Sequence, residues 1–208
     1  DRFLEPDLGF RYNRRTNWPV QVAVRKNLGT TNGYQENDIR GVNYGTLTFN
    51  ANILSNAELR RATCTHEFFH LVQSFYDPRN RVSAAWYAPP HLWIDEAASV
   101  WSEELNLNAG GSDVPDVCRQ NADAPFGSLA PQSGASDTVV QDHGYGTASV
   151  IRFLQNSPSY GGSDTLRGIY QNIRNGLKPR EAIDRATDLP SFLWLDSCYR
   201  AILEGRVY

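Results

Sequence analysis

The segment from Ser55 to Tyr76 constrains this chain more than any other. Ser55 with Glu58 three residues later forms a capping-box pattern, and Asp77-Pro78 closes the run, so the spacing predicts one long helix. In its middle stands His66-Glu67-Phe68-Phe69-His70. Two histidines four residues apart lie on one helix face about one turn apart, so both imidazoles can reach a single ion. Glu67 stands about 100° around from His66, near enough to touch a water on that ion without ligating it. With His66 at 0°, His70 falls at about 40°, Thr63 at about 60° and Leu59 at about 20°. Cys64, Phe68, Leu71, Val72 and Phe75 fall between about 140° and 240°. The helix is therefore expected to have an apolar back and a histidine-bearing front, with Cys64 turned away from the ion.

Such a site needs a third protein donor. A histidine six residues past His70 is missing, since Gln73 and Tyr76 stand where that pattern needs Gly and His. Asp77 lies about two turns, roughly 10 Å, beyond His70, too far to share its ion. A second helix is expected from about Leu92 to Leu105, and it contains Trp93-Ile94-Asp95-Glu96-Ala97-Ala98-Ser99-Val100-Trp101. There Trp93, Ala97, Val100 and Trp101 make the buried arc, Glu96 borders it, and Asp95 faces roughly the other way. A carboxylate beside a Trp-rich buried face needs a partner, which a metal supplies. A salt bridge from Glu96 to an arginine is the alternative, and His91 is the competing ligand. Zinc is the expected cofactor, because it takes His and Glu donors and lowers the pKa of water towards roughly 7, where Glu67 can take the proton.

The flanking sequence reads as α+β. Residues 1–54 are β-rich: Pro19–Val24 and Tyr44–Phe49 alternate as strands, and Asn32-Gly33 reads as a turn between them. Residues 106–142, rich in Gly, Ser, Asp and Pro, are expected to form a long loop lining a cleft. Helical patterns follow at Tyr145–Leu154, Asp164–Arg174, Pro179–Ala186 and Pro190–Glu204. The 208 residues fit a single domain. Its sheet and histidine-bearing helix occupy about 1–76, and a mainly helical part with the loop 106–142 occupies about 77–208. A net charge of −3 speaks against a nucleic-acid partner. No apolar run approaches the roughly 20 residues of a membrane-spanning segment. The lack of any Met reads as a mature or excised fragment of a longer protein. Of three cysteines, Cys118 in the long loop and Cys198 in the last helix are the candidate disulfide pair, with free thiols as the alternative.

His66-Glu67-x-x-His70, followed on a second helix by Trp93-x-Asp95-Glu96-Ala97, resembles the gluzincin class of zinc metallopeptidases over roughly residues 44–154. The resemblance implies a zincin-like fold: an N-terminal twisted mixed sheet, the active-site helix, and a mainly helical C-terminal part. It implies His66, His70 and Glu96 as zinc ligands and peptide-bond hydrolysis by a zinc-activated water with Glu67 as general base. It also directs attention to Asp142-His143-Gly144-Tyr145-Gly146, because related enzymes place a Tyr or His near the start of a later helix to stabilise the oxyanion. Tyr145 is the first candidate and His143 the second. The same likeness makes Gly45–Ala51 the sheet's edge strand, with Asn50 and Ala51 as contacts for an extended peptide. The implied partner is a peptide or protein substrate, and the implied setting is secreted or periplasmic. A non-catalytic zincin-like binding domain is the alternative function, against which stands the intact Glu67.

Overall fold

The alternation around Leu47 and Phe49 builds the middle of a small sheet. The computed structural model describes residues 9–11, 14–38, 40–76, 91–107, 115–131, 134–160 and 162–208. Within them the chain is α+β, with one three-stranded mixed sheet and otherwise mostly helices. The strands are β1 (Val22–Arg25), β2 (Gly33–Glu36) and β3 (Thr46–Asn50), in the order β1-β3-β2. β1 runs parallel to β3 and β2 antiparallel. Leu47, Phe49 and Ile53 form an apolar cluster against which Cys64 and Phe68 of the next helix pack.

Two expectations about this region are corrected. Gly45–Ala51 is not an edge: β3 is the central strand, paired on both sides. Asn50 is 3% exposed and its side chain donates to Thr31 O (3.0 Å) while accepting from Asn52 N–H, and Ala51 begins a 3-10 turn. Neither is placed to meet a peptide. Asn32-Gly33 is not a hairpin turn either, since Gly33 opens β2 and Asn50 N–H donates to Asn32 O. A side chain at Gly33 would press on Phe49, Thr63 and Glu67, so Gly here lets the strand run close over the helix below.

That helix, α1 (Ala57–Gln73), is capped by Asn56, whose side chain accepts from the N–H groups of Glu58 (3.1 Å) and Leu59 (3.0 Å). Ser55 does not cap it, because the preceding 3-10 turn holds Ser55 and its hydroxyl donates to Asn52 O. The Asp77-Pro78 stop lies outside the described residues. α1 buries two flanks and not a single back: Cys64 and Phe68 face the sheet, while Phe69 and Val72 enter the main core. The second helix, α2 (Leu92–Leu107), is buried on all sides from Trp93 to Ser102, between α1 and α5.

The long loop expected at 106–142 is partly helical. It contains α3 (Asp116–Gln120) and α4 (Ala124–Gly127), and α5 (Asp137–Asn156) already covers its last six residues. Tyr145 therefore lies within α5 and not near its start. Gly144 and Gly146 are packing positions within it. A methyl at Gly144 would stand 2.6 Å from the Trp93 carbonyl, and one at Gly146 1.9 Å from the Asn121 carbonyl. Their lack of side chains brings α5 down onto α2 and the α3–α4 connection. The remaining helices, α6 (Thr165–Arg174), α7 (Pro179–Thr187) and α8 (Ser191–Leu203), complete the main core with Ile169, Tyr170, Ile183 and Trp194.

The cysteines are free thiols, so the Cys118–Cys198 pairing is not formed. Cys118 instead sits 3.1 Å from the Tyr208 hydroxyl, and burial pushes its thiol up to about 11. No helix among the described residues is long and apolar enough to cross a membrane. Gly144→Ala is expected to destabilise the fold by about 1–3 kcal/mol through overpacking against α2. Intrinsic helix propensity alone would stabilise it by up to about 1 kcal/mol. Thermal denaturation distinguishes the two signs.

Candidate metal centre

The face of α1 that carries the two histidines meets α2 across a cleft of about 1140 Å³, walled further by β2, α3 and the first turns of α5. His66 Nε2 stands 3.1 Å from His70 Nε2 and 3.2 Å from Glu96 Oε2, and His70 Nε2 stands 3.5 Å from the same oxygen. Donors about 2.0–2.1 Å from a tetrahedral ion lie about 3.3–3.4 Å from one another. The three separations match the edges of one such face. His66, His70 and Glu96 thus form a group able to hold a metal ion.

The groups behind these atoms settle which nitrogens face inward. His66 Nδ1–H donates to Glu103 Oε1 at 2.6 Å. His70 Nδ1–H donates to Gln73 Oε1 at 2.8 Å, and Ser99 Oγ lies 3.2 Å from the same nitrogen. With both Nδ1 atoms engaged as donors, both Nε2 lone pairs point at the common centre, the arrangement metal-ligating histidines take. Three converging lone pairs repel unless a cation sits among them. Glu96 Oε1, on the far side, accepts from Gln141 Nε2 of α5 at 3.4 Å.

Electrostatics shows the same demand for positive charge. Burial alone would depress His66, but hydrogen bonds to Glu103 and Glu96 and the charges of both outweigh it and hold it well above its ordinary 6.5. His70 is depressed by burial and raised more strongly by the charge and hydrogen bond of Glu96. Burial would raise Glu96, yet the charge of His70 and the hydrogen bonds of both imidazoles carry it well below the usual carboxylate range. Protons on the imidazoles here take the part that a metal ion would take.

Other expected residues fall as follows. Glu67 is 7% exposed, lines the cleft, and is raised by burial against the pull of His70 and His66. Tyr145 lines the cleft with its ring 6.3 Å from that of His66. Burial, then the charges of Glu96 and Glu67, push its phenol far up, so it stays protonated. His143 is not among the lining residues; its Nε2–H donates to Leu129 O at 3.2 Å and its ring stacks edge-on to Trp93. His91 is buried where its carbonyl accepts from Ile94 and Asp95 N–H at the start of α2. Asp95 does not face solvent: it is 5% exposed and accepts from the Tyr170 hydroxyl. Glu103, Gln73 and Gln141 were not singled out in the sequence. Glu103 had a readable signal, since seven residues from Glu96 returns to the same helix face two turns on.

Comparisons with family models, with curated proteins and with solved structures found no match to this chain.

These shifts give the metal-free protein a defined pH response. The raised imidazoles contribute stability that is full below about 6.5, their unfolded value, and lost as pH climbs through the higher folded values. The lowered Glu96 contributes stability present above its unfolded 4.5 and lost as pH falls through the folded value. These three groups together favour the folded chain most between about pH 4.5 and 6.5. The raised carboxyls of Glu67 and Glu104 withdraw stability as pH rises above 4.5, so denaturant melts of the metal-free chain should be most resistant towards the acid end of that window. Metal affinity should rise with pH above that window, because binding displaces both imidazole protons.

Proposed function

We propose that this chain is a zinc-dependent peptidase of zincin-like fold, with His66, His70 and Glu96 holding the ion and Glu67 serving as general base. The observation that carries the reading is the convergence of three lone-pair donors beside a buried, cleft-lining carboxylate that is not one of them. Two imidazoles and one carboxylate are a donor set that zinc takes in hydrolytic sites which keep a position open. When bound, zinc supplies a Lewis acid that polarises a carbonyl and brings the pKa of water down towards about 7.

The chain's own residues do the remainder. Glu67, its carboxyl raised by burial, is a stronger proton acceptor than an exposed glutamate; it takes the proton of the attacking water and hands it to the leaving amine. Tyr145, held protonated, is a donor for charge developing on the carbonyl oxygen, a role worth about 3–4 kcal/mol in hydrolases.

The substrate class follows from the cleft's wall. Asn50 N–H bonds to Asn32 O, so by antiparallel alternation Gly33 and Gln35 turn their backbone groups away from β3. Both residues line the cleft, and among the described residues β2 pairs with β3 alone. A peptide or protein segment can add to that edge as a further strand, and Gly33 lies directly beside Glu67.

Glu67→Gln is expected to retain one zinc per chain and to lose about 10²–10⁴-fold in hydrolysis of casein or a peptide library. Undiminished turnover in that variant would refute the mechanism, and a parent protein that takes up no zinc would refute the whole reading. Tyr145→Phe is expected to lower kcat about 10²–10³-fold with zinc content unchanged, read from steady-state kinetics beside metal analysis.

A further inference from the structure

We infer that Tyr170, on α6, fixes the tautomer of His70 through Gln73, and is thereby a positioning residue for the metal centre. The inference rests on the zinc reading above. A neutral imidazole ligates through the nitrogen that lacks a proton, so whichever group faces the other nitrogen decides which one is free to bind. At His70 the nearer such group is the side-chain amide of Gln73 at 2.8 Å; the Ser99 hydroxyl at 3.2 Å can donate or accept and so imposes no choice of its own. An amide can present either its oxygen or its NH2, and only its far side tells which.

Here the far side is unambiguous. Gln73 Nε2 lies 2.8 Å from the Asp95 carbonyl oxygen and 2.9 Å from the Tyr170 hydroxyl. A backbone carbonyl only accepts, so it must face the NH2. The Tyr170 hydroxyl donates its single proton to Asp95 Oδ1 at 2.9 Å, which leaves its lone pairs to accept from Gln73. Asp95 thus orients the amide twice, once by its main chain and once through Tyr170. The reversed amide would set its oxygen against the Asp95 carbonyl and its NH2 against His70 Nδ1, forcing the His70 proton onto Nε2, towards Glu96.

Tyr170 is fully buried, and Gln73 and Asp95, although they border the cleft, are only 3% and 5% exposed, so a reversed arrangement would leave like groups facing one another at a cost. The Tyr170 ring is held edge-on by Phe10, Phe69 and Tyr76 at centroid distances of 5.7, 6.4 and 6.2 Å, which sets its hydroxyl nearer to Asp95 Oδ1 (2.9 Å) than to the alternative acceptor, the Ile94 carbonyl (3.4 Å). A residue 97 positions from Gln73 in sequence, on a helix that contributes nothing to the cleft lining, therefore governs which nitrogen of His70 is offered to the ion.

The test is zinc affinity of the full chain, read by competition with a chromophoric chelator, for the parent, Tyr170→Phe, Gln73→Leu and the double variant. Gln73→Leu should weaken zinc about 10–100-fold. Tyr170→Phe, which removes one of two orienting contacts, should weaken it by a smaller factor of about 3–10. The double variant should bind no more weakly than Gln73→Leu, because Tyr170 acts only through Gln73. Multiplying losses in the double variant would overturn the inference. So would lowered melting temperatures of the metal-free variants with zinc affinity unchanged, the signature of a merely structural role. Should Gln73→Leu fail to fold, Tyr170→Phe decides alone, since it keeps the whole ring, and parental affinity in it overturns the inference. A parent that binds no zinc, or binds it equally well as His66→Ala, removes the zinc reading and this inference together. A parent that binds through His66 while Tyr170→Phe binds equally well removes only the inference.

Discussion

An ionised carboxylate withdrawn from water must be answered by positive charge at close range, and Glu96 sets that demand at the middle of this chain. The cost of leaving it unanswered would be several kcal/mol. Much of the architecture is arranged around the answer. α1 presents two imbalanced nitrogens to one oxygen of Glu96, and α5 presents the Gln141 amide to the other. α5 reaches that position because Gly144 lets it settle on the Trp93 carbonyl and the Glu96 Cβ. Trp93, Ala97 and Trp101 then fix the rotation of α2 in the main core, so the carboxylate cannot turn away.

The two histidines are supported unequally. Behind His66 stands a carboxylate, Glu103; behind His70 stands a neutral amide. A carboxylate raises the basicity of the imbedded ring and adds negative charge near the ion, while an amide only orients. With Glu67, Glu96 and Glu103 all ionised, a divalent ion would leave the immediate site with one net negative charge. Backing both rings with carboxylates would raise that surplus and tighten the hold on the ion at the expense of its Lewis acidity.

What was legible in the sequence was whatever helix geometry carries locally. The facing of His66, Glu67 and His70 needs only a rise and a turn per residue, and Glu96 could be reached from the wheel of its own helix. The burial of Asp95 was not legible, because a wheel ranks faces by apolar residues and α2 is enclosed on every side. Strand order was not legible either: Thr46–Asn50 reads the same as an edge or a centre, since partners on both sides come from elsewhere in the chain. The packing role of Gly144 and Gly146 was illegible for a related reason. A glycine that breaks a helix and one that admits a neighbouring backbone are the same letter, and only the Asn121 and Trp93 carbonyls tell them apart. Gln73 was noticed only as the wrong residue for a longer motif. Its role depends on Asp95 and Tyr170, which no local pattern joins to it.

The short helix α3 forms one wall of the cleft with Asp116, Val117, Arg119 and Gln120, and within it Cys118 alone is buried. It is anchored through Cys118 and Val117, which pack against Val100 and Ala148, and Cys118 also lies beside the Tyr208 hydroxyl. The ligand-bearing helices α1 and α2 share none of those lining positions. Asp116, Arg119 and Gln120, exposed and outside that packing, can therefore change at little cost to the fold. The molecule thus keeps the three metal-capable side chains on helices α1 and α2 apart from a short wall whose exposed residues can be redrawn without touching His66, His70 or Glu96.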